Sequence, residues 1–330
     1  MTSLDNPDVY TIGWIAGTHT DVVAAIALLD ERHDTPQGFK QHPSDTNVYS
    51  WGRIGEHNIA IAYCASVGPT SASALLTSLP QIRFCLLVGL GAAVARPDQG
   101  YDIRLGDVVV GSPSGVKGAV VQYDLGRATG GRATVRLTGS LGLPPRVLLD
   151  AMMNLRVAHE YRGSKVPDLL RGMRTAYPHL YVHPGFGNDR LFVSTYNHAG
   201  GHNCRMCDVS KEVKRGQRDT TDPYIHYGVI ASGNHVIEDA STRDTIADGL
   251  GEECICFEMA AADLSADFPC LVVKGICDYA DSHWDNRWLR YASATAAACA
   301  KELLGFISPK RVQATQRANR RLETQSATIA

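Results

Sequence analysis

The sequence has no surplus of either charge: 32 Lys and Arg stand against 34 Asp and Glu over 330 residues, a formal charge of −2. Nucleic-acid binders that hold phosphates need a clear basic excess, so that class is excluded. Long apolar runs are missing too. Without a window of about 18 consecutive apolar residues, no membrane span is expected. The start, MTSLDNPDVYT, puts acids where a signal peptide needs cations and an apolar stretch, so no leader is expected either. Nine cysteines make an odd count, which argues against a disulfide scaffold. Seven of them (Cys64, Cys85, Cys254, Cys256, Cys270, Cys277 and Cys299) lie among apolar neighbours and read as small buried hydrophobes. That usage suits a reducing, cytoplasmic setting. What is present, 44% hydrophobic and 20% charged residues, is enough for a full-sized core.

Along the chain, apolar segments end in glycine and alternate with helical spacing. Strands are expected at 10–16, 48–51, 58–64, 84–88, 105–111, 225–232 and 270–277, and helices at 22–31, 70–79, 147–160 and 288–306. The run at 84–88 has no polar alternation, as a strand covered on both faces would have. This is α/β organisation. One domain is expected over 10–307, after a short extension at 1–9. A Gly-, Arg- and loop-rich insertion is placed at 127–224, with 161–221 read as polar loop. The basic tail at 308–330, with almost no large apolar residues, reads as solvated or frayed.

Three segments place a carboxylate or a glycine turn at a strand's carboxyl end, where open α/β sheets hold ligands: 15–21 with Asp21, 88–94 with Gly89, and 274–281 with Asp278. A fourth, 256–261, has Glu258 at what reads as a helix opening. Together with GEHNIAIA (55–62), RLGDVVVG (104–111), IHYGVIASGNHVIED (225–239), FEMAAADL (257–264) and VVKGICDYADSHWDNRW (272–288), they resemble the purine nucleoside phosphorylase and nucleosidase superfamily. The likeness is greatest to its fungal branch, often attached to larger receptor-like proteins. The resemblance implies a three-layer fold with a central mixed, partly barrelled sheet flanked by helices. It also implies a homo-oligomer acting on a purine nucleoside, with no cofactor needed for the chemistry.

Cleaving a purine N-glycosidic bond leaves a ribose cation and an electron-rich base. An acid at purine N7 and a group that stabilises or attacks the sugar lower the barrier. By resemblance Asp278 is the acid. Phosphorylases hold phosphate with arginines and a hydroxyl. Here Asp21 stands where one such arginine is found, and Leu87 and Leu90 occupy the places of an arginine and a serine. The nucleosidases carry a water-activating glutamate at the place of Asp21. Asp21 thus reads either as a first-turn acid of its helix or as a general base for water, and hydrolysis is favoured over phosphorolysis.

The family's ribose-binding glutamate is replaced by Ala260, next to Glu258 and Met259. Hydrogen bonds to a charged group contribute roughly 1.5–3 kcal/mol each, so its loss points to an altered substrate or an inactivated enzyme. Asn234, His235 and Val236 match the base-facing stretch. Val236 stands where the nucleosidases stack a phenylalanine on adenine; Phe257 supplies that aromatic face instead, or both are core residues. By resemblance Ser66 and Gly68 belong to a turn lining the sugar, and Lys274 takes the place of an arginine near the ribose. Three alternatives to a purine nucleosidase stay open: a phosphorylase, an ATP or nucleotide nucleosidase, and a nucleoside-binding module without catalysis.

Two features fall outside that chemistry. Cys204 and Cys207, with His198 and His202 just before them, have the spacing of a structural zinc site or are free thiols in a surface loop. Lys211, Lys214, Arg215, Arg218 and His226 concentrate positive charge, either as a solvated loop or facing a 5′-phosphate.

Overall fold

The computed structural model describes residues 4–63, 69–115, 117–127, 136–201, 203–261, 264 and 268–322. In chain order the first half holds β1 (Ile12–Ala16), α1 (His19–Ala27), β2 (Glu31–His33), β3 (Val48–Ile54), β4 (His57–Tyr63), α2 (Pro69–Ser78), β5 (Phe84–Ala93) and β6 (Val108–Gly111). β7 (Val120–Arg127), β8 (Arg136–Leu141), α3 (Arg146–Arg162) and α4 (Val166–Ala176) follow. The chain then runs irregularly to β9 (Ile225–Ser232), α5 (Ala240–Leu250), β10 (Cys254–Glu258), β11 (Cys270–Asp278), α6 (Leu289–Leu304) and α7 (Pro309–Ala314).

Five strands close on themselves. β5 runs parallel to β11, β11 antiparallel to β6, β6 parallel to β9, and β9 parallel to β10, which returns antiparallel to β5. β1, β4, β3 and β2 extend this barrel beyond β5, and β7 and β8 extend it beyond β9. The mixed, partly barrelled sheet flanked by helices is therefore as expected. Closure explains the unbroken apolar strands: Phe84–Val88 and Cys270–Ile276 are covered on both faces and buried throughout.

α6 is rich in alanine, and the reason is distance. Thirteen of its sixteen residues are buried, and its backbone lies directly on β11. A Cβ added at Gly275 would stand 1.8 Å from the carbonyl oxygen of Ala292. Only glycine below and small residues above let strand and helix approach this closely. The same helix carries Ser293 to the end of α1, where it meets Asp21.

Two expectations change. The polar stretch 161–221 contains a helix, α4, whose Val166, Leu170 and Met173 form one buried stripe. Only three of its eleven residues are buried, so the segment looks like loop until its spacing is considered. The tail also docks: Val312 and Ala318 are buried, Ala318 N–H donates to the Ile82 carbonyl at 2.8 Å, and Arg83 Nη1 donates to that of Thr315 at 2.7 Å. It is therefore packed through residue 322 rather than solvated; two small apolar side chains and backbone hydrogen bonds suffice. The cysteines meet expectation: Cys85, Cys254, Cys256, Cys270, Cys277 and Cys299 are buried and free, while Cys64 lies outside the described residues. Among the described residues no helix is long and apolar enough to cross a membrane.

Gly275→Ala should destabilise the fold by at least the roughly 1–3 kcal/mol typical of overpacking, read as a lower urea midpoint. An unchanged midpoint would contradict the close approach of α6 to β11.

Candidate active site

A cleft of about 540 Å³ opens at the carboxyl ends of β1, β5, β9, β10 and β11. It brings together residues from five separate segments: Asp21, Gly89, Asn234, His235, Val236, Phe257, Glu258, Met259, Ala260, Lys274 and Asp278 all line it. Ser66 and Gly68 lie outside the described residues.

Asp278 ends β11 half-buried. Its Oδ1 accepts the Ala280 N–H at 2.7 Å, closing a turn in which Ala280 adopts φ 51°. Among the described residues no other non-glycine has a left-handed backbone. Such strain persists where the surroundings over-determine it, and here it fixes the carboxyl's direction. Burial pushes the Asp278 carboxyl up to about 6, reinforced by the charges of Asp281 and Glu238 and opposed by the Ala280 and Cys277 hydrogen bonds. A carboxyl held partly protonated near neutrality is suited to donate a proton.

Asp21 resolves both of its sequence readings at once. It is the N3 residue of α1 in a capping box: Thr18 N–H and Oγ1 donate to its Oδ2 at 3.0 and 2.8 Å. Ser293 Oγ donates to Oδ1 at 2.7 Å. The same carboxylate faces the cleft past Gly89, where an added Cβ would lie 2.8 Å from Oδ2. Burial raises its pKa, against these hydrogen bonds and the Lys274 charge. The cap holds the carboxylate still.

Glu258 is different. Lys274 Nζ lies 2.7 Å from its Oε2, Ser232 Oγ donates to Oε1, and the Ala260 and Ala261 N–H groups donate at 2.8 and 2.9 Å. Burial alone would raise this carboxyl; Lys274 and the hydrogen bonds hold it below its ordinary value. With both oxygens engaged, Glu258 organises the cleft floor and leaves no oxygen for a sugar. Met259–Ala261 form a turn whose N–H groups at Ala260 and Ala261 donate to the Glu258 side chain, and the rest of the expected helix falls largely outside the described residues. Ala260 lines the cleft with a methyl group.

The base-facing residues divide. Val236 is exposed at the cleft's mouth, whereas Phe257 is a core residue that also reaches the cleft, meeting Tyr123 edge to face at 5.5 Å. Tyr123 and Trp284 line it as well, and sequence reading missed both. Tyr123 OH donates to the His235 carbonyl at 2.9 Å. Its segment carries no motif; the sign available for Trp284 was its place six residues beyond Asp278.

Of the phosphate positions, Leu90 lines the cleft and Leu87 is core. Among the described lining residues the Lys and Arg set is Lys274 alone, bound to Glu258. Arg215 and Arg218 do not line the cleft. Arg218 grips Asp107 with two hydrogen bonds at 2.7 and 2.8 Å, beside His226 at 3.0 Å. Arg215 pairs with Asp189 and the Tyr279 hydroxyl. Facing a 5′-phosphate is thus not their role: buried acids of the loop's own surroundings take the charge. Lys211 and Lys214 are exposed. His198, Cys204 and Cys207 come together elsewhere, and His202 lies outside the described residues.

Solved structures with this arrangement of strands and helices include the futalosine hydrolase of Helicobacter pylori, at 15% identity and TM-score 0.55, covering 90% of this chain and 98% of that one. The 5′-methylthioadenosine/S-adenosylhomocysteine nucleosidase of Neisseria meningitidis, in complex with methylthio-immucillin-A, aligns at 13% identity and TM-score 0.56 over 90% and 99%. A putative enzyme of that name from Borrelia burgdorferi, bound to adenine, aligns at 14% and 0.56 over 90% and 100%. The chain has the fold of the purine nucleoside phosphorylase and nucleosidase superfamily. No protein-family model matches it. Among curated proteins it is 37% identical, over 309 residues, to a nucleotide-binding leucine-rich repeat (NLR)-like protein of Hyaloscypha variabilis. That match covers 92% of this chain but 30% of the relative, so the chain spans under a third of that protein's length.

Because its pKa is raised on folding, protonated Asp278 adds stability below the ordinary carboxylate range, and the contribution fades as pH rises through about 6. Carboxyl carbon NMR should place its titration near that value, and Asp278→Asn should flatten this part of the stability profile. A midpoint near 4 would contradict the burial argument.

Proposed function

We propose that the chain hydrolyses the N-glycosidic bond of a purine ribonucleoside. The observation that carries this is one cleft holding two carboxyl groups of raised pKa, with its lysine already bound to Glu258. A phosphate dianion placed there would face Asp21 without a free cation; neutral water suits the site. Protonated Asp278 gives its proton to purine N7 as the C1′–N9 bond breaks and its electrons pass to the base. Asp21 takes a proton from the water that adds to C1′. The products are the free purine and ribose, and protons balance when Asp21 returns its proton to solvent and Asp278 regains one. Tyr123, Phe257 and Trp284 supply apolar faces for the base.

Incubation with adenosine, inosine and guanosine should release free ribose at a rate independent of phosphate. Ribose 1-phosphate as product would overturn the reading in favour of phosphorolysis. Asp278→Asn should lower kcat by roughly 10²–10⁴, the usual contribution of a general acid. The pH profile should fall on the alkaline side of about 6, with an acid limb from Asp21.

A second reading rests on Ala260. With Glu258 fully engaged and Asp21 held by Thr18 and Ser293, no described carboxylate is free for the ribose hydroxyls. The chain would then bind nucleoside without turnover, as a sensing module of a larger protein like the NLR-like relative. Ala260→Glu discriminates the two. Under either reading the new carboxylate should tighten nucleoside binding roughly 10–100-fold, the equivalent of one or two charged hydrogen bonds. Turnover appearing only in the variant would favour the binding module. Turnover in both supports the hydrolase.

A further inference from the structure

His198, Cys204 and Cys207 play no part in the cleft, yet their ligand atoms lie within 4.8 Å of one another. Cys207 is buried and the other two are half-buried. The His198 ring nitrogens meet loop backbone, the Gly200 N–H and the Asn203 carbonyl, each at 3.1 Å. Two thiols and an imidazole are the donors that zinc prefers, and a tetrahedral site with its usual bond lengths sets ligand atoms about 3.3–3.8 Å apart. The cluster needs to contract by about 1 Å to reach that.

A further imidazole, outside the 4.8 Å group, stands beside His198 on another segment. His283 is 5% exposed, and its ring meets that of His198 edge to face with centroids 5.5 Å apart. Its Nδ1 lies 3.3 Å from Asp281 Oδ1, and both ring nitrogens are buried without a hydrogen-bond partner. A histidine with one nitrogen toward a carboxylate and the other bare is the arrangement of a metal-bound imidazole. Arg190, paired with Glu212, braces the segment by donating to the carbonyls of Cys204 and Cys207.

We propose that His198, Cys204, Cys207 and His283 bind one structural zinc ion. Its consequence is mechanical. The segment holding His198 rests on the one that follows Asp278: His198 N–H donates to Ser282 Oγ at 2.9 Å, and Phe192 stacks on His283 at 4.1 Å. Zinc therefore ties an otherwise irregular, polar stretch to the turn that aims Asp278 and to the neighbouring wall residue Trp284.

The test is metal analysis of the full chain, with cobalt(II) exchange as a spectroscopic reporter. Expected are about one zinc per chain and, with cobalt, the thiolate charge-transfer and tetrahedral d–d bands. Both should be absent from Cys204→Ser and Cys207→Ser. His283→Ala should weaken zinc by at least about tenfold, since even outer-shell changes reach that size. Failure to find metal, with both thiols freely alkylated or joined as a disulfide in the intact mass, would overturn the proposal. So would undiminished zinc in both cysteine variants. Wild-type affinity in His283→Ala would remove that residue from the ligand set. Should the cysteine variants fail to fold, the cobalt spectrum of the wild-type chain still decides, because only thiolate ligation produces the charge-transfer band.

Discussion

The buried pair between Lys274 and Glu258 is the interaction on which the site depends. It joins β11 to β10 inside the closed barrel, at 2.7 Å and out of reach of solvent. A lone charge at either place would be intolerable in so dry a setting, so the two must come together, and hydrogen bonds from Ser232, Ala260 and Ala261 complete the carboxylate. That satisfaction has three effects. It removes a cation from the cleft, removes an anion from the sugar side, and fixes the turn at Ala260 and Ala261.

The remaining carboxyl groups inherit their chemistry from what the pair leaves over. Asp278 and Asp21 are both raised by burial, but they are held differently. Asp278 accepts from its own strained turn and keeps the character of an acid. Asp21 sits among three hydroxyl and amide donors that favour the charged form. Under the proposed hydrolysis, hydrogen bonding rather than residue type sets these two carboxyls toward opposite roles.

Much of this was visible in the sequence, for identifiable reasons. Unbroken apolar runs such as Phe84–Val88 announce strands buried on both faces, and glycines at strand ends announce ligand loops. Asp21, Asp278, Lys274 and Gly89 share the cleft as their motifs implied. The amphipathic α4 and the docked tail escaped notice because each buries only a few small or scattered apolar side chains. Tyr123 escaped because nothing local marks a residue whose role comes from a distant neighbour. Arg215 and Arg218 looked like free positive charge because Asp189 and Asp107 lie far from them in sequence.

The sequence by itself determined the α/β class, the order of the strands' apolar cores, and which carboxyls stand at strand ends, because these follow from periodicity and from glycine placement along the chain. The tertiary structure alone decided which charges are free to act. Whether Glu258 faces a sugar or a lysine, whether an arginine meets phosphate or a buried aspartate, and whether His283 stands beside His198 all depend on side chains that meet only once the barrel closes. Pairing energies of buried charges belong to such contacts and leave no local trace in the chain.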